Sequence, residues 1–157
     1  LCVYAMSLLD KPEEVFMWDG GIPQTPRPPL NYLLTFNIEG LINEYYGTTK
    51  FLRDRKIVNI PCFFKDVVVI RVKCLGEKDG RPAQAQVDLL DFYDEETGFT
   101  AMERITGWDI SIVAIMMANG QTKKGAVPLE LAISSSNFVH ELGRRGISVS
   151  ERITYLG

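Results

Sequence analysis

"DVVVIRVKCLGEKDGRPAQAQVDLLDFYD" (residues 66–94) decides the fold of this chain. Its dipeptide Asp79-Gly80 is typical of the two-residue turn that joins neighbouring antiparallel strands. The first arm, Val67–Leu75, begins almost continuously apolar, which predicts a strand in the middle of a sheet. The second arm, Ala83–Tyr93, alternates more, which predicts one solvent-facing side. We therefore expect a sheet organised by antiparallel pairing.

Outward from this hairpin, the sequence predicts further strands and four helical segments. The strands are residues 13–21, ended by Gly20-Gly21, then Tyr32–Phe36, a hairpin with Phe51 and Ile57–Ile60 around Asp54-Arg55, and residues 147–156. The helices are a tail within residues 1–10, a short one from Asn37 to Gly47, a long one from Thr100 to Ala118 stopped by Asn119-Gly120, and a last one capped by Ser136 or Asn137. The proline-rich residues 22–30 predict an extended connector in preference to an SH3-type ligand.

This order predicts an α+β domain with a mostly antiparallel, mixed sheet and helices on one face. Its 157 residues suit one domain, spanning residues 1–157. Because the chain starts at Leu1 in what reads as the end of a helix, we expect it to be a piece of a longer protein.

Composition excludes several classes of function. A net charge of −3 argues against nucleic acid as a partner, and the longest apolar run, Ile110–Ala118, is too short to span a membrane. The three cysteines, Cys2, Cys62 and Cys74, are odd in number and widely spaced, and His140 is the only histidine, so we expect free thiols in the cytoplasm and no metal site. The acidic residues 91–96 lack the ligand spacing of a calcium loop and predict a solvated turn.

"GFTAMERITGWD" (residues 98–109) contains two helix-start signatures in succession, Thr100–Glu103 and Thr106–Asp109. We expect one helix that begins at Thr100 and continues through Gly107, because a glycine in mid-helix is usually offset by close approach of a neighbour. Arg104 either fixes a carboxylate ligand or forms a surface ion pair with Glu103 or Asp109.

"IEGLINEY" (residues 38–45) places Glu39 and Asn43 four residues apart on one helix face. A carboxylate beside an amide can bind an ammonium group, or can simply solvate the helix. The residues alone leave both alternatives open.

Four segments of the chain resemble a known family. "GGIPQTPRPPLNYLLTFNIEGLINEYYG", "FLRDRKIV", "ETGFTAMERITGWDISIVAIMMANG" and "FVHELGRRGI" are similar, in order, to the second domain of saccharopine dehydrogenase-like oxidoreductases, closest to the lysine 6-dehydrogenase branch. The fold expected from this resemblance is that of the C-terminal domain of saccharopine and homoserine dehydrogenase-like enzymes.

The resemblance implies a role as substrate-binding and dimerisation domain. Members of the family bind NAD or NADP in an N-terminal Rossmann domain, which is absent from this chain, and transfer hydride at the amino-bearing carbon of lysine or a lysine-derived adduct or imine. Within this reading, the charges of the residues lead us to expect that Glu39 and Asn43 help hold the substrate amine, that Arg104 holds a carboxylate and that Thr106 lies by the substrate. Thr100 and Gly107 are then expected to contact the cofactor domain. The implied partners are an amino-acid substrate, the Rossmann domain and a second copy; the alternative is a non-catalytic dimerisation or ligand-binding module.

The sequence departs from the family pattern at three places. Residues 62–66, "CFFKD", join two segments that are far apart in family members, which predicts an excision or deletion there. Arg55 stands where the turn usually has Gly. Ile105 and Asp109 replace the usual Thr and Pro, so any substrate role for a hydroxyl at position 105 is lost.

Overall fold

The computed structural model describes residues 1–26 and 65–156. Within them, the helices are α1 Cys2–Ser7, α2 Ala101–Ala118, α3 Leu129–Ala132 and α4 Ser135–Arg144, and the strands are β1 Lys11–Pro23, β2 Asp66–Lys78, β3 Arg81–Phe92 and β4 Ser148–Tyr155. The four strands form one antiparallel sheet in the order β1-β2-β3-β4. The predicted α+β class is confirmed. The predicted strand 32–36, the helix that follows it and the hairpin around Asp54-Arg55 lie outside the described residues.

The β2–β3 hairpin is formed as the sequence predicts. Asp79 and Gly80 both have positive φ, 52° and 70°, as a tight turn between right-twisted strands requires. Strand β2 lies between β1 and β3, which confirms its predicted central place. Strand β3 pairs on its other side with β4, and Val87 lies opposite Glu151 in that antiparallel register.

The helices cover one face of this sheet. Alternate residues of β3 are buried from Ala83 to Leu89, and their neighbours along the strand are more exposed. Two apolar clusters share this side: Ala5, Leu9, Val72, Cys74, Ala83, Ala85 and Val87 form the first, and Leu89, Ile112, Met116, Leu142 and Ile147 form the second. Ile70 and Val149 pack against both clusters. Helices α1, α2 and α4 therefore share one side of the sheet, as predicted.

Three details differ from the prediction. Strand β1 does not end at Gly20-Gly21 but continues to Pro23, because glycine tolerates an extended backbone and the ladder continues, with the N–H of Gln24 donating to the carbonyl of Lys65. Helix α4 is capped by Ser134 and not by Ser136 or Asn137, since the Ser134 hydroxyl is the one that accepts from the N–H of Asn137. Helix α3 was not predicted; its single turn carries no periodic signal.

The described residues belong to two compact units. One contains residues 1–20, 69–91 and 105–157, and holds both apolar clusters. The other contains residues 21–68 and 92–104, of which 21–26, 65–68 and 92–104 are described. In the part of the chain that the structure describes, no helix is long and apolar enough to cross a membrane.

Candidate functional site

The start of helix α2 is fixed by a reciprocal pair of hydrogen bonds. The hydroxyl of Thr100 accepts from the N–H of Glu103 at 3.1 Å, and the Glu103 carboxylate accepts from the N–H of Thr100 at 2.9 Å. The helix continues without a break through Gly107 to Ala118. The prediction of one helix with one start at Thr100 is therefore confirmed.

A buried acid supports the same helix start from a distant point in the sequence. Asp66, at the beginning of β2, has no exposed surface. Its two carboxylate oxygens accept from the N–H groups of Ala101, at 2.7 Å, and Met102, at 3.0 Å. Sequence reasoning missed this role; the available signal was a lone acid directly before a long apolar run, where a charge needs a partner.

These contacts occupy the amides at the beginning of α2. The Asp66 carboxylate accepts from the N–H groups of Ala101 and Met102, and the Thr100 hydroxyl accepts from that of Glu103. The N–H of Arg104 donates to the carbonyl of Thr100 at 3.0 Å. A helix start binds phosphate through amides left without partners in the helix. Because its amides already have partners, the start of α2 does not fit the phosphates of a dinucleotide.

Arg104 lies within the first turn of α2 and forms an ion pair with Asp94. Both side chains are mostly buried. The sequence analysis named Glu103, Asp109 or a ligand carboxylate as partners and did not name Asp94. Asp94 also organises its own loop, because its carboxylate accepts from the N–H of Glu96 at 2.9 Å and from that of Thr97 at 3.3 Å.

The charge on Asp94 is stabilised by this loop. The N–H groups of Glu96 and Thr97, and then Arg104, hold the pKa of the Asp94 carboxyl below its ordinary value. The carboxylate is thus ionised at neutral pH and orients the Arg104 guanidinium. Arginine presents five donors in a rigid fork, which suits it to hold a carboxylate ligand in a defined geometry.

The remaining predicted site residues divide into two groups. Thr106 and Gly107 lie on the next turn of α2, and both are exposed. A methyl group added to Gly107 would have no described atom within 4 Å, so the expected close neighbour is not among the described residues. Glu39 and Asn43 lie outside the described residues, and their roles stay predictions.

Other candidates carry little chemistry. Cys2 and Cys74 are free thiols, as predicted, and burial raises the pKa of Cys74; Cys62 lies outside the described residues. Among residues 1–26 and 65–156, no group of three or more His, Cys, Asp or Glu side chains is placed to hold a metal ion.

One contact that the sequence did not suggest lies between α2 and α4. The guanidinium of Arg145 lies 5.2 Å from the ring centroid of Trp108 and 2.6 Å from a carboxylate oxygen of Glu141. Because Arg145 reaches both side chains, it ties the two helices together through charge as well as apolar packing.

An open antiparallel sheet of four strands with helices on one face defines this chain as an α+β domain. Residues 63–147 match the family of the saccharopine dehydrogenase C-terminal domain. The chain belongs to this family. The match includes β2, β3 and all of α2, and therefore both Asp66 and Arg104.

Proposed function

We propose that this chain is the substrate-binding and dimerisation domain of an NAD(P)-dependent amino-acid oxidoreductase. The substrate would be lysine or a lysine-derived imine or adduct, as in the lysine 6-dehydrogenase branch. The observation that carries the proposal is the family match over residues 63–147, which includes the whole of helix α2.

The proposed roles follow from the charges of the candidate residues. Glu39 and Asn43 would hold the substrate amine, Arg104 would hold a carboxylate, and Thr106 would lie beside the substrate. Binding at these groups would orient the amino-bearing carbon for hydride transfer. NAD or NADP would accept the hydride when bound, and its phosphates would be held by a Rossmann domain, since the start of α2 does not fit them.

Preorganisation of Arg104 supports its place in this scheme. Its ion pair with Asp94 fixes the guanidinium before any ligand arrives, and a group already held in position loses less entropy on binding. In the full-length protein, Arg104→Ala should raise the Michaelis constant for the amino acid about 30-fold to 100-fold with a smaller change in kcat, as expected for loss of a charged binding contact.

The control variant is Asp94→Asn, which keeps the oxygen that accepts from the loop amides but removes the charge facing Arg104. Asp94→Asn should raise the Michaelis constant less than Arg104→Ala does, because it loosens the guanidinium without removing it. An equal rise for both variants would mean that Arg104 acts only by holding its loop. An unchanged Michaelis constant in Arg104→Ala would disprove the substrate role.

The decisive assay is amino-acid-dependent reduction of NAD or NADP by the full-length protein, with lysine, saccharopine and carboxynorspermidine as substrates. Turnover with one of them is expected, and the isolated chain should be inactive. No turnover with any of them would refute the proposed enzyme.

A second candidate is a non-catalytic dimerisation or ligand-binding module derived from the same family. It is favoured by exposed aromatic side chains on strand β1, where Phe16 and Trp18 stack at a centroid distance of 6.3 Å. A G-x-G-x-x-G motif after a strand in the upstream sequence would favour the enzyme, and its absence would favour the module.

A further inference from the structure

Asp66 ties together two segments of the chain that lie on either side of the candidate site. The residue has no exposed surface, and its two carboxylate oxygens accept from the N–H groups of Ala101 and Met102. Its carbonyl oxygen accepts from the N–H of Tyr93 at 3.1 Å and from the side-chain amide of Gln24 at 2.8 Å. One residue therefore holds both the beginning of helix α2 and the start of the loop that follows β3.

These two attachments support the two partners of the Arg104–Asp94 ion pair. Tyr93 directly precedes Asp94, so the hydrogen bond from its N–H fixes the backbone from which the Asp94 side chain extends. Arg104 lies one turn after Ala101, about 4.5 Å along the helix axis at a rise of about 1.5 Å per residue. Both partners of the ion pair are thus attached to the same buried residue.

Burial makes this attachment stiff. A carboxylate oxygen of Asp66 that left its N–H partner would find no water to replace the lost hydrogen bond. The capping box of Thr100 and Glu103 lies at the same helix start but in contact with solvent, so its hydrogen bonds can be exchanged for bonds to water. Asp66, Tyr93, Asp94 and Arg104 all belong to one compact unit, within which the attachment acts.

We propose that Asp66 is a positioning residue for substrate binding, because it sets the place of the Arg104 guanidinium. The inference deepens the proposed function and rests on it, since it concerns the substrate carboxylate that Arg104 would hold. A guanidinium recognises a carboxylate through a planar fork of donors, so a small displacement of the fork weakens both hydrogen bonds at once. Asp66 touches no substrate in this scheme and acts through Arg104.

Nitrogen-15 NMR of the arginine side chains tests the positioning without any turnover. A guanidinium held by a carboxylate rotates slowly, and the signals of Arg104 are identified as those missing from Arg104→Lys. In Asp66→Asn we expect this rotation to become at least about 10-fold faster, the scale of coupling within one hydrogen-bond network. Arg71 is the internal control and should not change, because Asp88 holds it through hydrogen bonds of 2.6 and 3.1 Å in the other compact unit.

Two further variants separate positioning from a general weakening of the helix. Thr100→Ala weakens the same helix start but leaves every hydrogen bond of Asp66 in place, so the Arg104 signals should stay unchanged. Gln24→Ala removes only the side-chain amide at the Asp66 carbonyl, so it should speed the rotation less than Asp66→Asn does. Circular dichroism reports whether each variant folds, and Gln24→Ala decides the question if Asp66→Asn does not fold.

Two NMR results would overturn the proposal. One is an unchanged Arg104 rotation in the folded Asp66→Asn variant, or in Gln24→Ala where that variant stands in for it. The other is an equal change in Asp66→Asn and Thr100→Ala, which would mean that Arg104 responds to any loosening of the helix start.

Kinetics of the full-length protein test the consequence for the substrate. Asp66→Asn should raise the Michaelis constant for the amino acid about 10-fold with a smaller change in kcat, whereas mere loss of folded protein would lower only the apparent kcat. With Arg104→Ala already present, Asp66→Asn should raise the Michaelis constant by less than about twofold, because the group that it positions is gone. Equal factors in both backgrounds would overturn the proposal. Absence of turnover in the unaltered protein refutes the proposed enzyme alone, and an unchanged Arg104 rotation refutes the positioning alone.

Discussion

Asp66 should contribute more to stability than any exposed capping residue of helix α2. Its carboxylate is fully buried and accepts two backbone hydrogen bonds, at 2.7 and 3.0 Å. Asp66→Asn keeps one acceptor oxygen but turns an amide N–H₂ group toward an N–H donor. It therefore removes one charge-assisted hydrogen bond, worth about 1.5–3 kcal/mol, and leaves a donor buried without a partner.

The helix dipole adds to this loss, because a negative charge at a helix start is worth about 0.3–2 kcal/mol. We therefore expect Asp66→Asn to lower the free energy of unfolding by about 2–4 kcal/mol. With a urea slope of about 2 kcal/mol per molar, the unfolding midpoint falls by about 1–2 M.

The assay is urea unfolding followed by far-UV circular dichroism. The matched control is Thr100→Ala, which removes one hydroxyl from the exposed capping box of the same helix and should cost only about 1 kcal/mol. If Asp66→Asn costs no more than Thr100→Ala, the buried carboxylate is not what fixes this helix start, and the reasoning fails.

Three further predictions concern the turn, the helix and the acid response. Gly80→Ala should destabilise the chain by about 1–2 kcal/mol, because Gly80 has φ of 70°. Gly107→Ala should stabilise the chain by about 1 kcal/mol, because the added methyl group meets no described atom within 4 Å. Thermal unfolding measures the stability of both variants, and a shift of the same sign in both would contradict this reasoning. The N–H groups of Glu96 and Thr97, and then Arg104, lower the pKa of Asp94 in the folded chain from its ordinary value of 3.8. The ionised carboxylate therefore stabilises the fold above pH 3.8, and this stabilisation is lost as the pH falls through the lower, folded pKa. Asp94→Asn should flatten that acid loss, and a pH titration of unfolding that is identical in the two chains would disprove it.

Local chemistry predicted the elements whose signals lie close together in the sequence. The Asp79-Gly80 turn, the central place of β2, the single long helix and its start at Thr100 are confirmed. Each of these depends on neighbours within a few residues, whose preferences agree with the fold. The weaker predictions were boundaries, such as the end of β1 and the cap of α4, where several residues offer similar signals.

The site was less predictable than the fold. The sequence singled out Arg104 but not its partner Asp94, because an ion pair between residues ten positions apart depends on how the segment between them folds back. It also missed Asp66, whose contacts lie 35 and 36 residues away along the chain.

The sequence by itself determined the antiparallel hairpin, the α+β class, the family resemblance and the single start of helix α2, because these depend on turn chemistry, periodicity and short motifs. Only the tertiary structure decided which acid caps that helix from within the protein, which residue holds Arg104, and which side of α2 is left in water. The physical reason is that the surroundings of a charged or apolar side chain are formed by residues distant in the sequence, which only folding brings next to it. Ile110 and Met117 are apolar in the sequence, but only the packed fold shows that both side chains are exposed.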